Sequence, residues 1–411
     1  MKKSISRDLF ASIRAIRGRF FSILKVVLAS VLFTSSASAA ESPSAVPSVP
    51  SIDSLRMALP AELFAVAGVE SNVYFDNVVL TLNPSNYSFD VTCPNGRQQT
   101  ERWTWTPTDA EVGEVPFQLE VRDELNRLVS RGTSTINVVA AKPGKDRARV
   151  MLLVGDSLTH ASIYSQHLLD LSTKFGESEL TLIGSHGLEP KLGANRHEGY
   201  GGWTAQRFAT HFSETARLGD YAKRGSPFLY KQADGTTKLN FKHYCNDANN
   251  GRFPDVVTFF LGPNDICSFN DDTIAGGIES MLTYFDQLID MVHSASPSTR
   301  VGVMLPVPPA ASQDAFGSNY GTGQTRWQYK RNQHALVRAM IERYGGRQAK
   351  GIQVIPTHAN LDCVYNYPSE MVSPNAHADQ KVVRQNNGVH PSVAGYRQIG
   401  ETVFAWLSSL P

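Results

Sequence analysis

The sequence predicts an α/β layer structure on a parallel sheet, preceded by a small all-β sandwich. Two patterns and one boundary predict it. From about residue 148 onward, apolar runs of strand length alternate with amphipathic helical stretches. Over 53–142, short period-two segments recur with turn residues between them. The polar run AKPGKD (141–146) separates the two grammars. At 411 residues the chain also exceeds the usual size of one domain.

The elements follow in chain order. Lys2, Lys3, Arg7, Arg14, Arg17, Arg19 and Lys25 precede the apolar stretch VVLASVLF (26–33), which is short for a bilayer span. Ala37-Ser38-Ala39 offers a small-x-small cleavage pattern, so residues 1–39 read as a signal peptide and the protein as exported, secreted or periplasmic. An uncleaved anchor is the other reading of this segment. No later run is long and apolar enough for a membrane span, so the mature chain is expected to have none. Residues 40–52, rich in Ser and Pro, read as a linker. VYFDNVVLTL (73–82), YSFDVTC (87–93), RWTWTP (102–107), PFQLEVRD (116–123) and TSTINVVA (133–140) then read as strands of the sandwich. Trp103 and Trp105 share a strand face, as a core pair or as a platform for sugar rings.

In the α/β part, strands are predicted at RVMLLVGD (149–156), LTLIGSHG (180–187), DVVTFFLG (255–262), RVGVMLP (300–306) and GIQVIPT (351–357). Helices are predicted over 162–176, 278–295 and 328–345. Composition is that of an ordinary globular protein, 41% hydrophobic and 19% charged, with formal net charge +1. That balance gives no electrostatic reason to expect nucleic acid or an acidic membrane surface as partner. Cys93, Cys245, Cys267 and Cys363 lack zinc-ligand spacing. In an exported chain they permit two disulfides in three connectivities, and Cys245 with Cys267 is the favoured pair because both flank one predicted strand region.

Ligands of parallel sheets bind outside the carboxyl ends of the strands. There the sequence places Gly155-Asp156-Ser157-Leu158 after the first strand, EGYGGWT (198–204) on the loop after the second, and Gly262-Pro263-Asn264-Asp265 after the third. NNGVHPSVAGY (386–396) precedes the last helix. This ordered set resembles the SGNH, or GDSL-type, hydrolase family over about residues 148–410. The resemblance implies a flavodoxin-like three-layer sandwich over 148–411 and a serine esterase activity without cofactor or metal. Ester hydrolysis needs a nucleophile, a base and oxyanion donors. The resemblance assigns these to Ser157, to His390, and to the Ser157 N–H, the Gly202 N–H and the Asn264 amide. Gly202 as a turn residue and Asn264 as a helix cap are the structural alternatives. Asp156 and Asp265 are expected to tie down loops.

One departure stands out. The family usually carries an Asp three residues before its His, and here that residue is Asn387. Three readings are open: a Ser–His dyad with Asn387 or a backbone carbonyl orienting His390, a substitute carboxylate from Asp379 or Asp362, or a weak site. The loops at 213–253 and 307–331 carry Phe228, Tyr230, Phe241, Tyr244, Phe316, Tyr320, Trp327 and Tyr329, and Tyr200 and Trp203 flank the Gly-Gly turn. An aromatic and polar rim suits sugars, with Tyr200, Trp203, Tyr320 and Trp327 as candidate contacts, although the same aromatics could pack the loops onto the body. The expected substrate is an acylated small molecule or polysaccharide carrying short acyl groups. A lipase or thioesterase for longer chains, and a glycan-binding protein on a hydrolase scaffold, are the alternatives.

Overall fold

Period-two alternation becomes strand wherever it runs uninterrupted. In a computed structural model, which describes residues 55–140, 148–176, 180–187, 193–214, 224–321 and 323–411, the first part of the chain forms seven strands. These are β1 (Glu62–Val66), β2 (Ser71–Tyr74), β3 (Ser88–Thr92), β4 (Arg97–Gln98), β5 (Arg102–Trp105), β6 (Gly113–Arg122) and β7 (Leu128–Val139). They make two sheets, ordered β1-β7-β6-β3 and β2-β5-β4, around a core that includes Leu63, Val73, Trp103, Phe117, Leu119 and Ile136. The signal peptide, the linker and the 141–146 run expected from sequence lie outside the described residues.

Two expectations for this layer change. Trp103 and Trp105 are 2% and 7% exposed and meet edge to face at 6.0 Å, so they are a core pair and not a sugar platform. The strand expected over 73–82 stops at Tyr74, where Phe75–Val78 turns into the short helix α1. Asp76 and Asn77 are poor strand residues, and their side chains find partners on the α/β body.

The second part contains β8 (Arg149–Gly155), β9 (Leu180–Ile183), β10 (His186–Gly187), β11 (Arg196–Gly199), β12 (Leu229–Lys231), β13 (Thr237–Leu239), β14 (Val256–Phe260), β15 (Arg300–Met304), β16 (Ile352–Ile355), β17 (Ser369–Val372) and β18 (Val382–Gln385). The main sheet runs β10-β11-β8-β14-β15-β16, with β9 also paired to β8. β8 pairs in parallel with β9, β11 and β14, and β14, β15 and β16 continue in parallel. Helices α2 (Ser157–His160), α3 (Ile163–Phe175), α4 (Ala205–Thr210), α5 (Phe241–Asn249), α6 (Pro263–Ile266), α7 (Ile274–Ala295), α8 (Gln313–Tyr320), α9 (Arg326–Tyr344) and α10 (Val393–Ser409) complete it.

Alternate residues of β8 point to opposite faces and are equally buried, as a sheet covered on both sides requires. Leu152 and Val154 join the cluster containing Phe208, Phe285 and Val337 of α4, α7 and α9. Met151 and Leu153 join that of Leu168, Phe404 and Trp406 of α3 and α10. Phe64 and Val66 of β1 belong to this second cluster, so the β-rich layer is continuous with the body in one compact unit, Pro50–Pro411.

All four cysteines are free. The favoured Cys245–Cys267 bridge fails because the two lie in different clusters, Cys245 on the buried face of α5 and Cys267 beside Val389. Among the described residues, no helix is long and apolar enough to cross a membrane.

Candidate active site

β8 ends at Gly155 because no side chain fits there. A Cβ would stand 2.1 Å from Thr159 Oγ1 and 2.9 Å from the Phe260 carbonyl. The chain therefore turns at once, and Asp156 caps α2 by accepting the Leu158 N–H at 2.9 Å. Ser157 is the first residue of that helix and half-buried. Its Oγ lies 2.8 Å from His390 Nε2. The structure thus brings together two side chains 233 residues apart in sequence, at hydrogen-bond distance for proton transfer.

Gly202 occupies the third position of the Tyr200–Trp203 turn, closed by the Trp203 N–H on the Tyr200 carbonyl at 3.2 Å. Its φ of +75° is what a type II turn asks of that position. Asn264 is the second residue of α6, which Pro263 opens after Gly262, whose φ is +142° and whose Cβ would meet Pro306 and Leu336. The Asn264 amide donates to Asp156 Oδ2 at 3.3 Å and to the Trp203 carbonyl at 3.2 Å, so it ties the Ser157 turn to the Gly202 turn. The Ser157 and Gly202 N–H groups hydrogen-bond to nothing among the described residues.

Burial sets the electrostatics. Asp156 is fully buried, which pushes its carboxyl up to about 7, with the nearby Asp265 adding to the rise. Asp265 rises to about 7 for the same reason, while its Oδ1 accepts the Ala205 N–H at 2.9 Å. Both tie down loops at the site. Burial also holds the His390 imidazole below its ordinary value, which keeps it neutral and able to take a proton.

The partner of His390 differs from a triad. Asn387 Oδ1 accepts the backbone N–H of Val389 at 3.1 Å and of His390 at 2.9 Å. Its carbonyl is spent on the loop and does not reach the ring. Asp362 is occupied elsewhere, accepting from Val364 N, Tyr365 N and Tyr74 Oη, and Asp379 is exposed. Among the described residues nothing hydrogen-bonds His390 Nδ1.

Of the expected rim, Tyr320 is 39% exposed on α8, stacked on Phe316 at 5.4 Å. Trp327 is partly exposed on α9 beneath the Arg331 guanidinium. Tyr200 and Trp203 are fully buried and pack on each other and on Phe208, so as placed they are core and not rim. Phe228, Phe241, Tyr244, Phe316 and Tyr329 are buried too. Sequence reasoning missed the polar centre behind the Gly202 turn. There the buried Glu198 accepts from Tyr200, from Tyr244 at 2.7 Å and from Ser185 at 2.8 and 2.9 Å.

A parallel sheet with a serine–histidine pair at its carboxyl edge defines the class of α/β ester hydrolases. The chain belongs to the GDSL-like lipase/acylhydrolase family, whose model matches residues 153–398, more than half of its length. Solved structures similar to it include a Clostridium thermocellum family 3 carbohydrate esterase, 19% identical, covering 63% of this chain and 94% of that one with a TM-score of 0.36. A carbohydrate esterase family 3 from Talaromyces cellulolyticus is 16% identical, covering 63% and 96% at a TM-score of 0.34. A lipase/acylhydrolase from Enterococcus faecalis is 17% identical, covering 63% and 95% at 0.32. No curated protein matches the chain.

Proposed function

We propose that the protein is an exported serine esterase that removes short acyl groups, acetyl above all, from carbohydrate through an acyl-enzyme on Ser157. The observation that carries the chemistry is the 2.8 Å contact between Ser157 Oγ and His390 Nε2. His390 takes the hydroxyl proton as Oγ attacks the ester carbonyl, then returns it to the leaving alcohol. The Ser157 and Gly202 N–H groups receive the oxyanion, joined by the Asn264 amide as it exchanges its 3.3 Å contact with Asp156 for the new charge. Water, activated by the same imidazole, releases the acid.

The short-acyl preference rests on packing. Beside His390, Val389 is 7% exposed and packs on Phe316 and Tyr329, at 0% and 1%, with Cys267 against them. That wall is filled, which supports a short acyl group on this side of the site. Above it, Asn319 of α8 accepts the Gly388 N–H at 2.8 Å, which holds Tyr320 near the His390 loop, where its exposed ring suits a sugar face.

The test is hydrolysis of p-nitrophenyl acetate and butyrate, and of an acetylated oligosaccharide, by the parent and by Ser157→Ala. The expected result is a preference for acetate and loss of turnover in the variant. Equal rates on both esters would remove the short-acyl reading. Turnover that survives Ser157→Ala would remove the nucleophile.

A further inference from the structure

We infer that α1 of the β-rich layer is a positioning element for the catalytic histidine, acting through Asp76 and Asn77. The inference rests on the reading of His390 as the base.

Segment 72–77 is bonded along its length to segment 358–363. Asn72 donates twice to Asn360 Oδ1, from N and from Nδ2, each at 2.9 Å. Tyr74 N donates to the Ala359 carbonyl at 3.0 Å, and its hydroxyl to Asp362 at 3.2 Å. Asn77, only 4% exposed, donates to the carbonyls of His358 at 2.9 Å and Leu361 at 2.7 Å, and accepts from Cys363 Sγ at 3.4 Å. Asp76 pairs with the buried Lys330 and, at 3.4 Å, with Arg326, both on α9.

These contacts end on the supports of the histidine strap. The Cys363 carbonyl accepts from Ala311 N and from Gln385 Nε2, each at 2.9 Å, and Gln385 Oε1 accepts the Ser312 N–H at 2.9 Å. Arg326, held by Asp76, donates from Nε to the Ala310 carbonyl at 3.0 Å. Ala310 N in turn donates to the Gly388 carbonyl at 3.1 Å, two residues before His390. Downstream, Ser392 N donates to the Asn366 carbonyl at 2.9 Å.

Bonds to the backbone of the loop that carries His390, from both main chain and side chains, therefore aim the imidazole. In a triad a carboxylate on Nδ1 would correct small errors of the loop, but here Nδ1 has no such partner. A displacement of the strap passes directly to the Nε2–Oγ distance, and a misplacement of about 1 Å costs on the order of 10²-fold in rate.

Two variants test this. Asn77→Ala removes both carbonyl contacts. Arg326→Lys keeps a cation beside Asp76 but loses the Nε bond to Ala310. On p-nitrophenyl acetate each is expected to lower kcat by about ten- to a hundredfold, with KM nearly unchanged. Labelling of Ser157 by diisopropyl fluorophosphate, which also needs the base, slows in parallel, while circular dichroism and the folded fraction stay at parent values. Parent-like kcat in both folded variants, or a loss that merely tracks the folded fraction, overturns the inference. If Asn77→Ala does not fold, Arg326→Lys alone decides. Ser157→Ala and His390→Ala run alongside. Their failure to abolish turnover would overturn the site, whereas abolished turnover with parent-like Asn77→Ala and Arg326→Lys would overturn only the brace.

Discussion

At His390 the free energy of the imidazolium decides how the reaction depends on pH. Burial disfavours the charged ring, so its protonation falls below the ordinary 6.5, and the acid limb of kcat/KM is expected below that value. Asn387→Asp tests the missing anion. A carboxylate can accept the same two backbone N–H groups while placing negative charge beside the ring. That charge stabilises the imidazolium, so the acid limb moves to higher pH and kcat rises by about tenfold or more, because loss of the corresponding anion in a serine protease costs ~10⁴. An unchanged profile would mean that the site at 387 is too far from the ring to matter. At the oxyanion, Asn264→Ala is expected to lower kcat by about 10²–10³, with KM little affected. The loss is read by steady-state kinetics on p-nitrophenyl acetate. Ser157, Gly202, Asn264 and His390 could be named as candidates from sequence because each sits in a short motif, three of them after predicted strands or on the loop that follows one and His390 before the last helix. The fate of the Asn387 carbonyl was not, because a side chain that folds back on its own backbone leaves no trace in spacing.

Among the elements, the turn from β8 into α2 tolerates the least change. Gly155→Ala would drive a methyl against Thr159 and the Phe260 carbonyl, and overpacking of this kind costs about 1–3 kcal/mol. Because α2 carries Ser157, the variant should lose both melting temperature and turnover, measured by calorimetry and ester hydrolysis. The apolar strands β8, β14, β15 and β16 were readable because a strand buried on both faces must be apolar along its length. β11 was not, since RHEG carries no apolar residue. Its His197 and Glu198 are buried only because Ser162, at 2.7 Å from His197, and the Ser185, Tyr200 and Tyr244 hydroxyls receive them. Of the aromatics expected at the rim, Tyr320 and Trp327 lie at the surface, whereas Tyr200, Trp203 and most of the others are buried for a related reason. Over 224–253, large rings fasten the segment to the body, and Phe228 and Tyr244 pack at 4.9 Å within it.

For the whole molecule, acid is the vulnerable side. His186, His334 and His358 are lowered to about 4 and His197 to about 3, all chiefly by burial. Each contributes stability that is complete above the unfolded value of 6.5 and is lost as pH falls. Asp156 and Asp265, raised to about 7, act oppositely, since their protonated forms favour the fold as pH falls below that value. Four histidines outweigh two aspartates, so the unfolded chain binds more protons between about pH 4 and 6.5. The melting temperature should drop across that window, and a flat profile in scanning calorimetry would contradict the balance. The bonds between segments 72–77 and 358–363 also have a consequence in time. Their partners are 281 to 288 residues apart in sequence. A ribosome adding roughly 5–20 residues per second needs about 15–60 s to cover that distance. During synthesis α1 therefore emerges long before the loop that receives it. The β-rich layer must wait, with Phe64 and Val66 uncovered, until α10 is made. Such non-local closure makes for slow folding, and the supports of the His390 loop are complete only when segment 358–363 has met segment 72–77.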